Sequence, residues 1–324
     1  VDGLQRNADL IARRIGIRPV VRRIADLDLE SDRGVPVDRG VLTDDAEAVV
    51  HDPEVSVIVE LIGGTGVARE LVKAALALGK PVVTANKALL AKHGAEIYGL
   101  AGQKRTDLYF GASVGGGSPI IRALREGLVA NRIEHLYGIL NGTCNYILTR
   151  MEREGLAFDD VLAQAQAAGY AEADPGLDID GWDTAHKASI LASLAYGAVV
   201  PLESVYVEGI RGLADVDIRN ALDMGYRIKL LAVVKRVEAG VEVRVHPALV
   251  PLTHVLSSVS NVFNAVLVHG DLVGDTLYYG RGAGREPTAS TVIGDVVDVV
   301  RNLEAGAEHR VPAIAHSSQR LDVV

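Results

Sequence analysis

The spacing of apolar positions changes character near the middle of the chain. Leu4, Ala8, Ile11, Ala12 and Ile15 fall near one stripe, which predicts an amphipathic helix over residues 4–15. Val20 to Ile24 reads as a strand ending at Ala25-Asp26. Val55 to Ile62 is an apolar run closed by Gly63-Gly64, the pattern of a buried strand. A helix is predicted from Val67 to Leu78 with Gly79 as terminator, then a strand over Pro81–Thr84, a helix over Leu89–Leu100 and a strand over Leu108–Val114. Strands alternating with helices predict parallel βαβ winding.

After about Pro119 the alternation stops. A helix over residues 119–128 leads to a strand from Ile133 to Leu140 and a helix through Arg153. Residues 158–168 and 183–197 read as helices. Val205–Glu208, Ile228–Arg236 and Val241–His246 read as strands, the last two joined by a hairpin-like turn at Glu238-Ala-Gly240. The second half is therefore α+β with a mixed or antiparallel sheet. Thr288 to Leu303 carries Val292, Ile293, Val296, Val297, Val299 and Val300 and predicts a further helix. The tail after Ala305 is polar and weakly patterned.

Composition narrows the function. The 324 residues are 48% hydrophobic and 23% charged, an ordinary globular balance for two domains. A net charge of −9 with no basic stripe argues against nucleic acid. No apolar run is long enough for a membrane span and no signal peptide is visible, so a cytoplasmic enzyme is expected. Cys144 is the single cysteine, so an internal disulfide is excluded. Its place between a strand and a helix suits a small packing residue better than a nucleophile.

Chemistry concentrates between Glu172 and Lys187, where Glu172, Asp174, Asp178, Asp180 and Asp183 precede one lysine. Asp183 and Lys187 are four apart and share a helix face with Ile190, Leu191 and Leu194. Charges on an apolar face need partners. Such a pair reads either as a structural salt bridge with a snorkelling lysine or as part of a site. His186 points about 100° away from Lys187 on the same helix and reads as packing or surface.

Four further segments complete a pattern: Thr84-Ala-Asn86-Lys87, Ala112-Ser-Val-Gly-Gly-Gly-Ser-Pro119, Gly138-Ile-Leu-Asn-Gly-Thr-Cys-Asn-Tyr-Ile-Leu148 and Gly280-Arg-Gly-Ala-Gly284-Arg-Glu-Pro287-Thr288. In order and spacing they resemble homoserine dehydrogenase from about Asn7 to Asn302. The resemblance implies an α/β fold with a Rossmann-like parallel-sheet nucleotide domain, residues 1–117 with a return helix over 287–304. It implies an α+β catalytic and dimerisation domain over 118–286, and a homodimer formed through that domain's sheet. The implied activity is NAD(P)H-dependent interconversion of L-aspartate 4-semialdehyde and L-homoserine in threonine, methionine and isoleucine biosynthesis. The alternatives are a related NAD(P)-dependent amino-acid dehydrogenase and a non-catalytic remnant.

The remnant reading arises because the sequence opens at what looks like the first Rossmann helix. The preceding strand and the Gly-x-Gly-x-x-Gly turn are not in it, which is the largest departure from the family pattern. The expectation is an N-terminally truncated or compromised nucleotide site. The chain also stops short of the amino-acid-sensing domain that many bacterial members carry.

The resemblance assigns roles residue by residue. Lys187 and Lys87 are the candidate catalytic residues, and Glu172, Asp178 and Asp183 the substrate-binding acids. A base role for Lys187 needs burial or a second cation such as Lys87 to lower its pKa, and Asp183 acts in the opposite direction. A charged Lys187 suits an acid for aldehyde reduction better than a base. The Asn141–Asn145 stretch reads chiefly as backbone support. Cofactor contacts are expected at Asp26, Ile62, Gly63, Gly64, Thr84, Lys87 and Gly284. Asp26 ends the second strand, where an acid holds ribose hydroxyls, so NAD is favoured. Arg22 and Arg23 keep NADP open. The carbonyls of Val114, Gly116 and Ser118 are the implied ligands of a monovalent cation, Na+. Gly111 stands where the family usually carries the glutamate ligand, which removes the charged donor.

Overall fold

A computed structural model describes residues 1–314 and 322–324. Part of the polar tail, residues 315–321, lies outside the described residues. The chain divides into two compact units, one of residues 1–113 with 288–313, the other of residues 114–287 with 314–324.

In the first unit a five-residue helix, Asp2–Arg6, precedes α1 (Ala8–Ile15), which Gly16 ends in the left-handed conformation. The strands are β1 (Ile24–Ala25), β2 (Leu42–Thr43), β3 (Ile58–Glu60), β4 (Val82–Thr84) and β5 (Leu108–Tyr109). All pairings are parallel, in two separate ladders: β1–β2 and β3–β4–β5. The intervening helices are α2 (Ala46–His51), α3 (Val67–Ala77) and α4 (Lys87–Lys104).

The strands are shorter than their apolar runs. Val20–Ile24 was expected to be a strand, yet only Ile24–Ala25 forms one, because only those residues meet a partner, Leu42–Thr43. Val20 is left exposed. Likewise Val55–Ile62 contributes only Ile58–Glu60 to a ladder, and Ile62 is solvent-facing. The return helix, Arg285–Glu304, lays Val292, Val296 and Val299 against Val83 and Tyr109. Each such valine removed from water contributes about 1.5–3 kcal/mol.

The second unit is built on a six-stranded sheet. Its strands are β6 (Ile133–Ile139), β7 (Tyr206–Val207), β8 (Tyr226–Val237), β9 (Gly240–Pro251), β10 (Phe263–Gly270) and β11 (Gly274–Arg281), in the order β11-β10-β6-β8-β9-β7. All neighbours are antiparallel except β7 and β9. The β10–β11 hairpin and β2 were not anticipated from sequence. The expected helix over 119–128 is present as Ile120–Arg122 continued by the wider turn Ala123–Gly127, and the α-helices that follow it in the unit are α5 (Gly142–Glu154), α6 (Phe158–Ala167), α7 (Gly176–Ile179), α8 (Trp182–Tyr196) and α9 (Asp215–Asp223). Helix α8 packs on β6, β8 and β9 and is buried at every position from Asp183 to Ser193. Enclosed on every side, the helix carries its polar residues, Lys187 among them, into the core, where each needs a partner.

Candidate active site

Gly181, in the left-handed conformation, starts α8, and Asp183 and Lys187 lie one turn apart near its beginning. Both are buried, at 4% and 8% exposure. The Lys187 ammonium donates to Asp183 Oδ2 at 2.7 Å and to the Leu140 carbonyl at 2.6 Å. Leu140 follows β6, so the strand end and the helix hold the lysine between them. An ammonium has three donors. Two are committed, and no protein partner takes the third among the described residues.

Asn141 organises the acids. Its Oδ1 caps α5 by accepting from Cys144 N at 2.7 Å. Its Nδ2 donates to Asp178 Oδ1 and to Asp183 Oδ2, both at 2.8 Å. The side chain therefore does more than the backbone support expected of it. Burial pushes the Asp178 carboxyl up from its ordinary range and Asp183 adds to this, while Asn141 and Lys187 oppose it. Cys144 is buried, its thiol donates to the Asp178 carbonyl at 3.2 Å, and burial raises its pKa well above the ordinary thiol value. It is a packing residue and a poor nucleophile.

The other acids stand apart from this set. Glu172 is exposed, and its carbonyl accepts from Gln166 at 3.0 Å. Asp174 closes its own turn onto Gly176 N, and Asp180 pairs with Arg211 at 2.8 Å. His186 is buried, in keeping with packing.

A second polar network, which sequence reasoning overlooked, closes the carboxyl ends of β3 and β4. Glu60 is 4% exposed. Its Oε1 accepts from Ile62 N at 2.8 Å and Gly63 N at 2.9 Å, and its Oε2 accepts from the Thr84 hydroxyl at 2.6 Å. Thr84 Oγ1 accepts from Asn86 N at 3.0 Å. Asn86 donates to the Gly64 carbonyl at 2.8 Å and caps α4 through Leu89 N. Gly63 and Gly64 have φ of 82° and 70°, and an added Cβ would meet nothing within 4 Å at either. Conformation, not crowding, selects glycine there, and the loop keeps an open surface. Lys87 is the first residue of α4 and is half-buried.

Asp26 follows β1. It accepts from Asp28 N at 3.0 Å and pairs with Arg33 at 2.8 Å. Arg22 and Arg23 are directed to Glu54 and Asp52.

In the second unit Val114, Gly116 and Ser118 are buried on one turn, with Ser118 N donating to the Gly115 carbonyl at 2.7 Å. Gly117 N donates to the Arg281 carbonyl at 3.0 Å. A Cβ on Gly116 would stand 2.5 Å from the Gly282 carbonyl oxygen, so the turn packs backbone to backbone on the loop holding Gly284. The Ser118 hydroxyl is buried without a protein partner. In the first unit Gly111 N donates to Asp295 Oδ2 at 2.7 Å, and a Cβ on Gly111 would meet the same carboxylate at 2.9 Å. Asp295 thus fills the space in which a side chain at position 111 would begin.

Known proteins match throughout. A family model described as the homoserine dehydrogenase NAD binding domain covers residues 1–111, and one described as homoserine dehydrogenase covers residues 119–297. A homoserine dehydrogenase of Pseudomonas aeruginosa is 51% identical over 98% of this chain and 73% of its own length. The crystal structure of a homoserine dehydrogenase from Thiobacillus denitrificans superposes with a TM-score of 0.94 at 51% identity, over 99% of this chain and 75% of that one. A hyperthermophilic archaeal homoserine dehydrogenase in complex with NADPH has a TM-score of 0.70 at 30% identity, over 79% of this chain and 75% of that one. The residues that suggested the family lie within these matches, and the chain belongs to the homoserine dehydrogenase family.

Proposed function

We propose that Lys187 is the proton donor of a homoserine dehydrogenase that interconverts L-aspartate 4-semialdehyde and L-homoserine. The observation that carries this reading is the buried Lys187 ammonium, with two N–H groups held by Leu140 and Asp183 and a third left for a substrate oxygen. An ammonium in that setting serves as acid when the aldehyde is reduced. Asp183 fixes its position, and Asn141 fixes Asp183. Asp178, with Glu172 from the preceding loop, supplies carboxylates for the substrate ammonium. When bound, the nicotinamide nucleotide supplies or accepts the hydride.

The first unit offers surfaces that fit this cofactor. The open Ile62–Gly64 loop, held by Glu60 and Thr84, lies at the carboxyl ends of parallel strands, where nucleotides bind in such sheets. Lys87, which opens α4, is the further contact we assign in this unit. Asp26 favours NAD over NADP, because an acid there accepts ribose hydroxyls and repels a 2′-phosphate. Arg22 and Arg23 are drawn away by Glu54 and Asp52, which supports that preference, while Arg33, paired with Asp26, is the cation that would meet a 2′-phosphate. The carbonyls of Val114, Gly116 and Ser118 are the donors we assign to a monovalent cation. A hard ion suits oxygen ligands, and the partnerless Ser118 hydroxyl is the observation in favour.

Strand β11 leaves Leu277 and Tyr279 of one face exposed, which supports a homodimer through this sheet. No helix among the described residues is long and apolar enough to cross a membrane. We assign the enzyme to the cytoplasm.

The test is NADH consumption with L-aspartate 4-semialdehyde as acceptor, run beside Lys187→Met. The expected result is turnover that the substitution lowers by about 10²–10⁴-fold. Equal rates for both proteins overturn the role of Lys187. Comparing NADH with NADPH, and wild type with Asp26→Ser, tests the cofactor reading, which fails if the wild type prefers NADPH.

A further inference from the structure

Strands β6, β10 and β11 are neighbours, and their register sets His135 opposite His269 and His269 opposite Asp275. Side chains at directly paired positions share a sheet face. The three therefore form a row across the strands. Leu136, the next residue of β6, is wholly buried on the other face, toward α8. The row contains none of the Lys187 set and lies on the sheet face that carries Leu277 and Tyr279, one rung of the ladder beyond the Tyr137–Leu267–Leu277 row.

The two imidazoles stack, with centroids 4.7 Å apart and planes 4° from parallel. His269 Nδ1 lies 2.6 Å from Asp275 Oδ1, and His269 Nε2 lies 3.6 Å from Glu134 Oε2. One donor atom from each of His135, His269 and Asp275 falls within 4.8 Å of the others.

We propose that His135, His269 and Asp275 form a binding site for a divalent transition-metal ion of the zinc class. Two imidazole nitrogens and one carboxylate suit zinc, cobalt or nickel, whereas calcium and magnesium favour all-oxygen sets. Metal–ligand bonds of about 2.0–2.2 Å place tetrahedral donors roughly 3.4 Å apart. Binding opens the His269–Asp275 contact from 2.6 Å to that spacing and turns the His135 ring out of the stack, so that both imidazole planes face the ion, while the ladder keeps the three backbones in register. At His269 the ion takes the place of the hydrogen now shared between Nδ1 and Asp275. Glu134 then remains on the opposite ring nitrogen, where it orients the imidazole as carboxylates do behind metal-bound histidines. Water completes the shell. The bound ion ties the outer hairpin to β6.

The experiment uses metal-free protein without a histidine tag, titrated with Co2+ followed by visible absorption and with Zn2+ followed by calorimetry. The expected result is one ion per chain with nitrogen–oxygen ligand bands. His135→Gln and His269→Gln each weaken binding at least about tenfold, by the loss of one ligand, while circular dichroism stays unchanged. Zn2+ raises the melting temperature of the wild type and not of the two variants. Absence of stoichiometric uptake by the wild type overturns the proposal, as does uptake by both folded variants with wild-type affinity.

Discussion

Removing either partner of the Asp183–Lys187 pair has a consequence that can be worked from the structure. Both groups are nearly inaccessible, and one carboxylate oxygen receives hydrogen bonds from Lys187 at 2.7 Å and Asn141 at 2.8 Å. In Lys187→Met, Asp183 keeps Asn141 but loses its counter-ion inside the core. In Asp183→Asn, the ammonium keeps the Leu140 carbonyl but loses the anion. Breaking a buried pair costs about 3–5 kcal/mol, because a lone charge stays buried. The double variant Asp183→Asn/Lys187→Met removes both charges and leaves a neutral amide that Asn141 can still bond. It should be at least about 2 kcal/mol more stable than the sum of the single losses, since contacting residues in one network couple by about 0.5–3 kcal/mol. Urea unfolding followed by tryptophan emission reads this directly. Trp182 is the only tryptophan, and it opens α8 next to Asp183. Additive losses, with coupling below about 0.5 kcal/mol, would refute the argument that the pair is held by mutual charge. All three variants should lose turnover, so stability and catalysis separate in the double variant.

Three other outcomes are expected. Glu60→Ala releases Ile62 N and Gly63 N to solvent and leaves the buried Thr84 hydroxyl unmet, at a cost of about 1–3 kcal/mol for that one donor; the loop loses its anchor, so the KM for the nicotinamide nucleotide should rise about tenfold while the KM for the amino-acid substrate holds. Because burial raises the folded pKa of Asp178 above its unfolded value, the anion forms only above the ordinary carboxylate range, and the ionised group costs stability as pH rises through that interval; kcat/KM should fall on the acid side at a higher pH than an unperturbed aspartate dictates, and Asp178→Asn should abolish that limb while raising KM about 10–100-fold, as loss of a charged hydrogen bond implies. Gly209→Ala sets a Cβ 2.1 Å from the Ile179 carbonyl oxygen, which belongs to the α7 segment carrying Asp178; the melting temperature should drop with about 1–3 kcal/mol lost to overpacking, and substrate KM should rise with it.

The sequence made some of this readable and hid the rest for identifiable reasons. Buried parallel strands are short apolar runs between helical stretches, closed by Gly63 after β3 and by Gly111 after β5 and opened by Gly79 before β4, so all three could be located. Their true lengths depend on which residues find a ladder partner, which is why Val20–Ile24 shrank to the pair Ile24–Ala25. The β10–β11 hairpin carried a period-two signal in Leu277, Tyr279 and Arg281, but the glycines from Gly280 to Gly284 drew attention to a loop. Asp183 and Lys187 were legible as a pair because one helix turn separates them. Asn141 reaches Asp178 and Asp183 across separations of 37 and 42 residues, and no local pattern encodes that bridge. Glu60 was hidden for the opposite reason: a single acid closing an apolar strand resembles an ordinary strand end until its three partners are seen.

The return helix has a consequence for how the chain is made. Val292, Val296 and Val299 complete the core around Val83 and Tyr109, but the ribosome delivers them only after residues 114–287. At about 5–20 residues per second, the first unit waits roughly 10–35 s with that apolar surface uncovered. The second unit, continuous over those residues, can fold in the interval. Nascent chains arrested before Thr288 should therefore recruit chaperones at the first unit, and release should follow emergence of the helix and not completion of the sheet of β6–β11.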